Sequence, residues 1–588
     1  MDPPATSQPQ VRLQMDPEEV QHIDKKPRLG FATEENDAIH EYDDHDPESS
    51  KEAMEGLTSV FDQSRVKRSR PQKKLTKKMK NMVIEPYSAQ DVIFRDVISL
   101  LGQEAVDKAI QEGKDWESPF QFREEVELTA SILSSTGESL AIAPAPYPPW
   151  VVLIPFALPG ETVRVRIHRN CKMYSHAELL EMITPNTEMR DDSLIRCKYF
   201  GQCAGCQYQM LSYETQLDLK QEVLVKAYQN FSDLPQELIP AISPTMGSPL
   251  QYSYRTKLTP HFDRLPKAKM ADTVLDGSRP DWFKIGFNGS GTRSVIDIEE
   301  CPIAAPAINE GFGPLRERIY KRLYTYKQGV SLVLRESLPT GTRPRSHSPS
   351  FGLRPQIPMG RLEVAETTSD TEKKVCVTDQ RATVRERVGD TIFEYPASAF
   401  FQNNNSILVP FTSYIRDMIL PEGTSPQSKV THLVDAYCGN GLFALTLASS
   451  FKRVAGIELD VSAIQWANRN AQMNKVSEDK VSFLAGHAAN IFETVQDFPR
   501  DKTAVIIDPP RRGSDEKFIE QLILFGSQTV VYVSCNAHTQ ARDIGMIIKQ
   551  SEALKRGNKY VLDSVRGFDL FPQTAHVESI AVLRLVPS

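Results

Sequence analysis

Hydrophobic periodicity divides the chain into stretches that obey different rules. Residues 1–85 carry no period and are rich in Pro, Gln, Asp, Glu and Lys; they bury too little apolar surface to offset chain entropy and read as a disordered tail. Between 86 and 120, Val92, Ile93, Val97, Ile98 and Leu101 recur at helical spacing, which predicts one or two short amphipathic helices. From 122 to 185 the pattern becomes that of short strands, at 126–130, 140–143, 151–155 and 163–167, separated by turn residues that include Gly137 and Pro159-Gly160. Residues 190–335 combine a long amphipathic helix, 213–230, with strands at 253–258, 284–287 and 331–335, giving a small α+β central region. Periodicity disappears again over the Pro-, Ser-, Thr- and Arg-rich stretch 337–373, a predicted disordered insertion. From 390 to 588 buried apolar runs alternate with helical stretches, the pattern of an α/β domain.

The chemistry concentrates in that last region. A strand over 430–436 runs into Asp435-Ala436-Tyr437-Cys438-Gly439-Asn440-Gly441, and a helix follows over 442–449. Strand, glycine turn and helix open a nucleotide-binding α/β unit. The next strand, 454–458, ends on Glu458, at the distance where a carboxylate grips a ribose diol. No GxGxxG continues the turn, so S-adenosylmethionine, which has no pyrophosphate to cradle, fits better than a dinucleotide. A third strand, 503–507, ends in Asp508-Pro509-Pro510-Arg511-Arg512, a turn found in methyltransferases whose target is a planar nitrogenous group. Then comes Val530-Val531-Tyr532-Val533-Ser534-Cys535-Asn536, a buried strand ending abruptly on a cysteine. In open α/β sheets chemistry sits beyond the carboxyl ends of strands, which places Cys535 where a nucleophile is useful. Taken alone, the segment is better explained by a small buried core cysteine. The last strand, 580–585, is preceded by His576-Val577-Glu578-Ser579.

Upstream, Cys197, Cys203 and Cys206 are spaced C-x5-C-x2-C, and Cys301-Pro302 offers a fourth thiolate. Four soft ligands suit a [4Fe-4S] cluster or zinc, and the alternative is a reduced, metal-free set. Cys171 and Cys376 have no partner at ligand spacing and read as structural. Eight cysteines in 588 residues are too few for a disulfide framework, which implies a reducing compartment. Net charge is −7, so the chain as a whole carries no nucleic-acid signature. Locally the balance differs: Lys25-Lys26-Pro27-Arg28 and the basic run 65–80 read as a nuclear-localisation signal, a phosphate-binding arm or a solvated tail. The N-terminus lacks an apolar core and is too acidic for a transit peptide, so nucleus or cytoplasm is expected rather than the mitochondrion. No stretch approaches the roughly 18 apolar residues of a membrane span.

Taken together, Phe400-Phe401-Gln402-Asn403-Asn404, Asp435 to Gly441, Gly456-Ile457-Glu458-Leu459-Asp460, Asp508-Pro509-Pro510-Arg511, Ser534-Cys535-Asn536-Ala537 and His576-Val577-Glu578-Ser579 resemble the motifs of the RNA (uracil-5-)-methyltransferase family, in its fungal or eukaryotic tRNA branch. The segment Pro155 to Ile167 is similar to the TRAM domain of RNA-modifying enzymes. The resemblance, over residues 122–588, implies an N-terminal OB-type TRAM β-barrel, the small central domain and a C-terminal Rossmann-like class I S-adenosylmethionine-dependent methyltransferase domain. It further implies Cys535 as nucleophile, Glu578 as general base, and Gln402, Tyr437, Glu458 and Asp508 as contacts to S-adenosylmethionine. The substrate implied is a T-loop uridine at position 54 of tRNA, with ribosomal RNA or a non-catalytic RNA-binding role as alternatives. A cytosine-5 enzyme would use a second cysteine beside a Pro in the fourth motif, where this chain has Asp508-Pro509-Pro510. Two departures stand out: Ala537 where the family usually has Pro, and Gly486-His487-Ala488 where it often has an acid. The cysteine set matches the iron–sulfur branch of the family. The expected chemistry calls for a Cys535 thiol of depressed pKa.

Overall fold

The computed structural model describes residues 84–588 except 114–117, 265–278, 340–372, 424, 426–428, 487–491, 493 and 556. The tail with its basic runs and nearly all of the 337–373 insertion therefore lie outside the described residues.

The strands His432–Ala436, Thr503–Ile507 and Thr529–Ser534 are buried at every position, because both faces of their sheet are covered. They form the centre of an eight-stranded sheet. In spatial order it runs Val481–Ala485, Arg453–Glu458, His432–Ala436, Thr503–Ile507, Thr529–Ser534, Glu578–Pro587, Asn558–Phe568 and Ser243–Met246. The first five strands are parallel, and Glu578–Pro587 turns antiparallel against Thr529–Ser534. Register aligns their ends: Ala436 lies beside both Ile457 and Ile507, Ile507 beside Tyr532, and Ser534 beside Ser579. The next residue along each strand therefore reaches one common rim.

The sheet draws on more than residues 390–588. Ser243–Met246 extends its edge, and the helix Tyr213–Phe231 packs on the helix Ala537–Ala553. The apolar stripe of that helix, including Val223, Leu224, Ala227 and Phe231, shares one core with Ile544, Ile547 and Tyr560. Its fully buried Lys220 pairs with the equally buried Asp569; removing one member of such a pair costs about 3–5 kcal/mol.

The N-terminal strands form a six-stranded sheet ordered Glu125–Thr129, Thr162–Asn170, Tyr174–Thr184, Val151–Ile154, Ser139–Ile142, Ile132–Leu133. The helix Ala89–Leu101, capped by Ser88, is locked to it by buried Asp96, which accepts the Ser135 N–H at 2.7 Å and its hydroxyl at 3.2 Å. In the central region the expected strand 253–258 narrows to Lys257–Leu258, with Arg255 bridging to Ala304 and Asn404 instead. No helix among the described residues is long and apolar enough to cross a membrane.

Candidate active site

Cys535 sits in the short link between the strand Thr529–Ser534 and the helix Ala537–Ala553. Asn536 caps that helix by accepting the His538 N–H at 3.1 Å, and its Nδ2 donates to the Arg511 carbonyl at 3.0 Å. Thr539 donates its hydroxyl to the same carbonyl at 2.9 Å, so the Asp508–Gly513 turn is held against the start of the helix. Because Ser534 pairs with Ser579, the residues one step further out, Cys535 and Glu578, face each other across the ladder. Glu578 is only 2% exposed.

Desolvation, with the Glu578 and Asp508 carboxyls adding to it, pushes the Cys535 thiol up to about 12 against the opposing pull of Arg511, which also hydrogen-bonds it. The same burial, reinforced by Asp508 and opposed by Arg511, holds Glu578 well above the usual carboxylate range. Asp508 is raised to about 7 by desolvation and by Glu458. Against the expectation of a depressed Cys535 pKa, burial holds this cysteine as a thiol at neutral pH in the free chain, and the neighbouring carboxyls add to that effect. Arg511, three residues beyond Asp508 on the same turn, is the cation that sits against Cys535. Its signal was adjacency to Asp508, but choosing it over Arg512 requires the turn's geometry.

Beside this pair lies a cradle. Tyr437, Gly439 and Gly441 all have positive φ, at 62°, 51° and 91°. Glu458 spans the turn, accepting the Gly439 N–H at 3.1 Å on one oxygen and those of Leu459 and Asp460 at 2.7 and 3.0 Å on the other. A Cβ on Gly439 would meet nothing within 4 Å, whereas one on Gly456 would fall 2.5 Å from Phe483. The turn therefore faces open space while its floor is closed. Beneath it Asp435 is fully buried; one oxygen accepts the Ala444 N–H at 2.8 Å, and the other has no hydrogen-bond partner among the described residues. Desolvation, with Asp508 and Glu458 nearby, pushes Asp435 well above its ordinary range. Three carboxyls crowding an open cradle suit a ligand with cationic centres and a diol. S-adenosylmethionine, with its sulfonium, ammonium and ribose, has these, and the residues fit it.

The Phe400–Asn404 stretch reaches the cradle through Asn440, whose Nδ2 donates to the Phe400 carbonyl at 3.0 Å. Asn404 anchors it from behind, donating to Ser248 Oγ at 2.9 Å and to the Leu570 carbonyl at 3.1 Å. Gln402, between these anchors, is 7% exposed. Of the departure at Gly486-His487-Ala488, residues 487 and 488 lie outside the described residues.

Cys197, Cys203, Cys206 and Cys301 carry free thiols within electrostatic reach of one another. Desolvation raises all four. Cys206 is pushed well above the usual range with Cys301, Cys203 and Cys197 adding to it, and Cys301 rises to about 12. Among the described residues, however, no three His, Cys, Asp or Glu side chains are arranged to hold a metal ion. The expected ligand set is gathered but not closed into a coordination shell. Cys171 and Cys376 are buried, at 3% and 7% exposure, as structural residues would be.

A family model described as tRNA (Uracil-5-)-methyltransferase matches residues 349–585. The tRNA (uracil(54)-C(5))-methyltransferase of Schizosaccharomyces pombe is 39% identical over 517 residues, covering 88% of this chain and 87% of its own. The Saccharomyces cerevisiae protein of the same name is 34% identical, with 85% and 78% covered. A crystal structure of a Pyrococcus abyssi tRNA (uracil-54, C5)-methyltransferase in complex with S-adenosyl-L-homocysteine superposes with a TM-score of 0.52 at 22% identity, covering 78% of this chain and 100% of that one. That likeness shows a class I methyltransferase fold.

Proposed function

The chain belongs to the tRNA (uracil-5-)-methyltransferase family, and from that premise we propose that it methylates carbon 5 of uridine 54 in the T loop of tRNA through a covalent adduct on Cys535. The observation that carries the mechanism is the facing of Cys535 and Glu578 across the Ser534–Ser579 pair, with Arg511 on the same rim. Carbon 5 of uracil is a weak nucleophile. Cys535 loses its S–H proton to solvent, Arg511 balancing the charge left on sulfur, and the thiolate adds to carbon 6 and moves electron density onto carbon 5, making it reactive. S-adenosylmethionine, when bound, supplies the methyl group on a cationic sulfur. Arg511 favours the thiolate over the thiol. After methylation carbon 5 carries one proton too many; Glu578 takes it, and the electron pair left behind re-forms the ring double bond as the thiolate departs. A carboxylate whose pKa is raised by burial is a stronger base for that step than one in water.

The cofactor is assigned to Gln402, Tyr437, Glu458 and Asp508, with Asp435 as a further acid below the cradle. Residues 122–185 are assigned as a TRAM-like module of OB type that grips the RNA, and a uridine held within a folded tRNA must be splayed out to reach Cys535. For the four upstream cysteines, donor type suits a [4Fe-4S] cluster, but binding would require deprotonation and convergence, and no step of the reaction depends on it. Iron and acid-labile sulfide content of the purified protein decides that assignment. The basic run 65–80 supports nuclear import as its role, tested by the distribution of a tagged chain lacking it.

The function is tested with a tRNA transcript and radiolabelled S-adenosylmethionine. Label should appear as 5-methyluridine at position 54 and vanish when that uridine is replaced by cytidine. Equal labelling of ribosomal fragments, or label that survives the replacement, would reject the assignment.

A further inference from the structure

Glu578 opens the strand Glu578–Pro587, paired with Phe568, and the loop 569–577 that leads into it has neither helix nor strand of its own. Its backbone carbonyls are instead bound one after another by different segments. Asn404 Nδ2 donates to Leu570 at 3.1 Å, Lys220 Nζ to Phe571 at 3.0 Å and the Tyr254 hydroxyl to Pro572 at 3.0 Å. The Gln573 carbonyl takes two N–H groups, those of Gln207 and Tyr208, each at 3.0 Å. Gln216 closes a two-way bond with Gln573, accepting its N–H at 3.0 Å and donating to its Oε1 at 3.2 Å. Closest to the base in sequence, the Ala575 N–H donates to Gln207 Oε1 at 3.2 Å, while Gln207 Nε2 donates to the Ala204 carbonyl at 3.0 Å. Gln207 directly follows Cys206. On the outer side, a Cβ at Gly137 would lie 2.6 Å from the Ala575 Cβ, so the loop cannot relax outward there.

Buried backbone groups need partners in any fold, and that need alone would be met by partners from anywhere. Here the last side-chain tether from another segment before Glu578 comes from the segment that bears the clustered cysteines. We propose that Gln207 is a positioning residue for proton removal from carbon 5, tying the cysteine segment to the loop that aims Glu578. The inference rests on the reading of Glu578 as the base. In the step concerned, the C5–H proton passes to the Glu578 carboxylate, the C5–H electrons become the C5–C6 double bond, and the C6–S bond breaks to return the Cys535 thiolate. Adduct formation and methyl transfer precede this step and need neither Glu578 nor Gln207 to be aimed.

The test uses full-length enzyme, unmodified tRNA transcript and S-adenosylmethionine in single turnover, quenched in denaturant so that adduct and released product are counted separately. Gln207→Met keeps the side chain's bulk and removes its hydrogen bonds; Gln207→Glu keeps the acceptor for Ala575. Gln216→Met cuts the same loop from the helix and is read in parallel in case the first variant folds poorly, as judged by S-adenosylhomocysteine binding. Glu578→Gln is the control for the underlying reading. The expected result is methylated adduct accumulating in Gln207→Met, with elimination slowed about ten- to a hundredfold as for other misplaced catalytic groups, and KM for both substrates unchanged. Gln207→Glu should recover most of that loss. If Glu578→Gln accumulates adduct and neither methionine variant does, the positioning role is wrong and the base assignment stands. If Glu578→Gln itself releases product at the normal rate, the base assignment falls and the positioning role with it.

Discussion

Cys535 and Cys206 are both desolvated thiols held far above the ordinary cysteine range, yet their surroundings differ in kind. Around Cys206 the charged-state perturbers are other thiols, Cys301, Cys203 and Cys197, with a hydrogen bond from Gln209 opposing them. None of these can take up its proton or balance its charge near neutral pH. Around Cys535 they are two carboxyls, Glu578 and Asp508, and a cation, Arg511. A raised pKa therefore does not by itself assign either cysteine a role. What separates them is whether a neighbouring cation can neutralise a thiolate as the reaction proceeds.

Substitution should break the symmetry between the two sites. Cys535→Ala is expected to lower turnover by at least about a thousandfold, since no residual route to carbon 5 remains. Arg511→Gln should lower kcat by about ten- to a hundredfold while leaving S-adenosylhomocysteine affinity intact, with Arg511→Lys intermediate, because loss of the opposing charge disfavours the thiolate. Unchanged kcat in Arg511→Gln would remove that residue from the account. Alkylation of Cys535 in the free enzyme, followed by peptide mass spectrometry, should accelerate about tenfold per pH unit from pH 7 to pH 10, because the thiol at about 12 is mostly protonated throughout that range. A plateau near pH 8 would mean that the thiol is activated at rest. Cys206→Ser should change kcat by no more than about threefold, because the Gln207 backbone that holds Gln573 is untouched, and any effect should be on thermal stability. A loss approaching that of Cys535→Ala would show the upstream set to be catalytic.

The difference between the two sites also marks what the sequence could convey. The central strands were legible because burial on both faces writes a continuous apolar run; 503–507 was expected and observed with the same bounds. The position of Cys535 followed from a strand end, while Glu578 was singled out only by the resemblance of the His576-Val577-Glu578-Ser579 motif. Ser243–Met246 was not legible: it contains Pro244, has no alternation, and pairs with a strand more than three hundred residues away in sequence. Asn558–Phe568 was missed because its charged and polar residues break the apolar run. The tethering of loop 569–577 is invisible for the same reason as the Cys535 pKa. Both are set by groups from several distant segments, and no local pattern records who the neighbours are.

The central claim is that Cys535 attacks carbon 6 of the target uridine. The direct measurement incubates the enzyme with S-adenosylmethionine and a tRNA transcript carrying 5-fluorouridine, then resolves the mixture under denaturing conditions. Fluorine cannot leave as a proton, so Glu578 has nothing to remove and the adduct stays. The account predicts a denaturation-resistant protein–RNA species whose cross-linked peptide contains Cys535, and its absence in Cys535→Ala. An adduct on another cysteine, or methylation of ordinary uridine by Cys535→Ala at the wild-type rate, would contradict it.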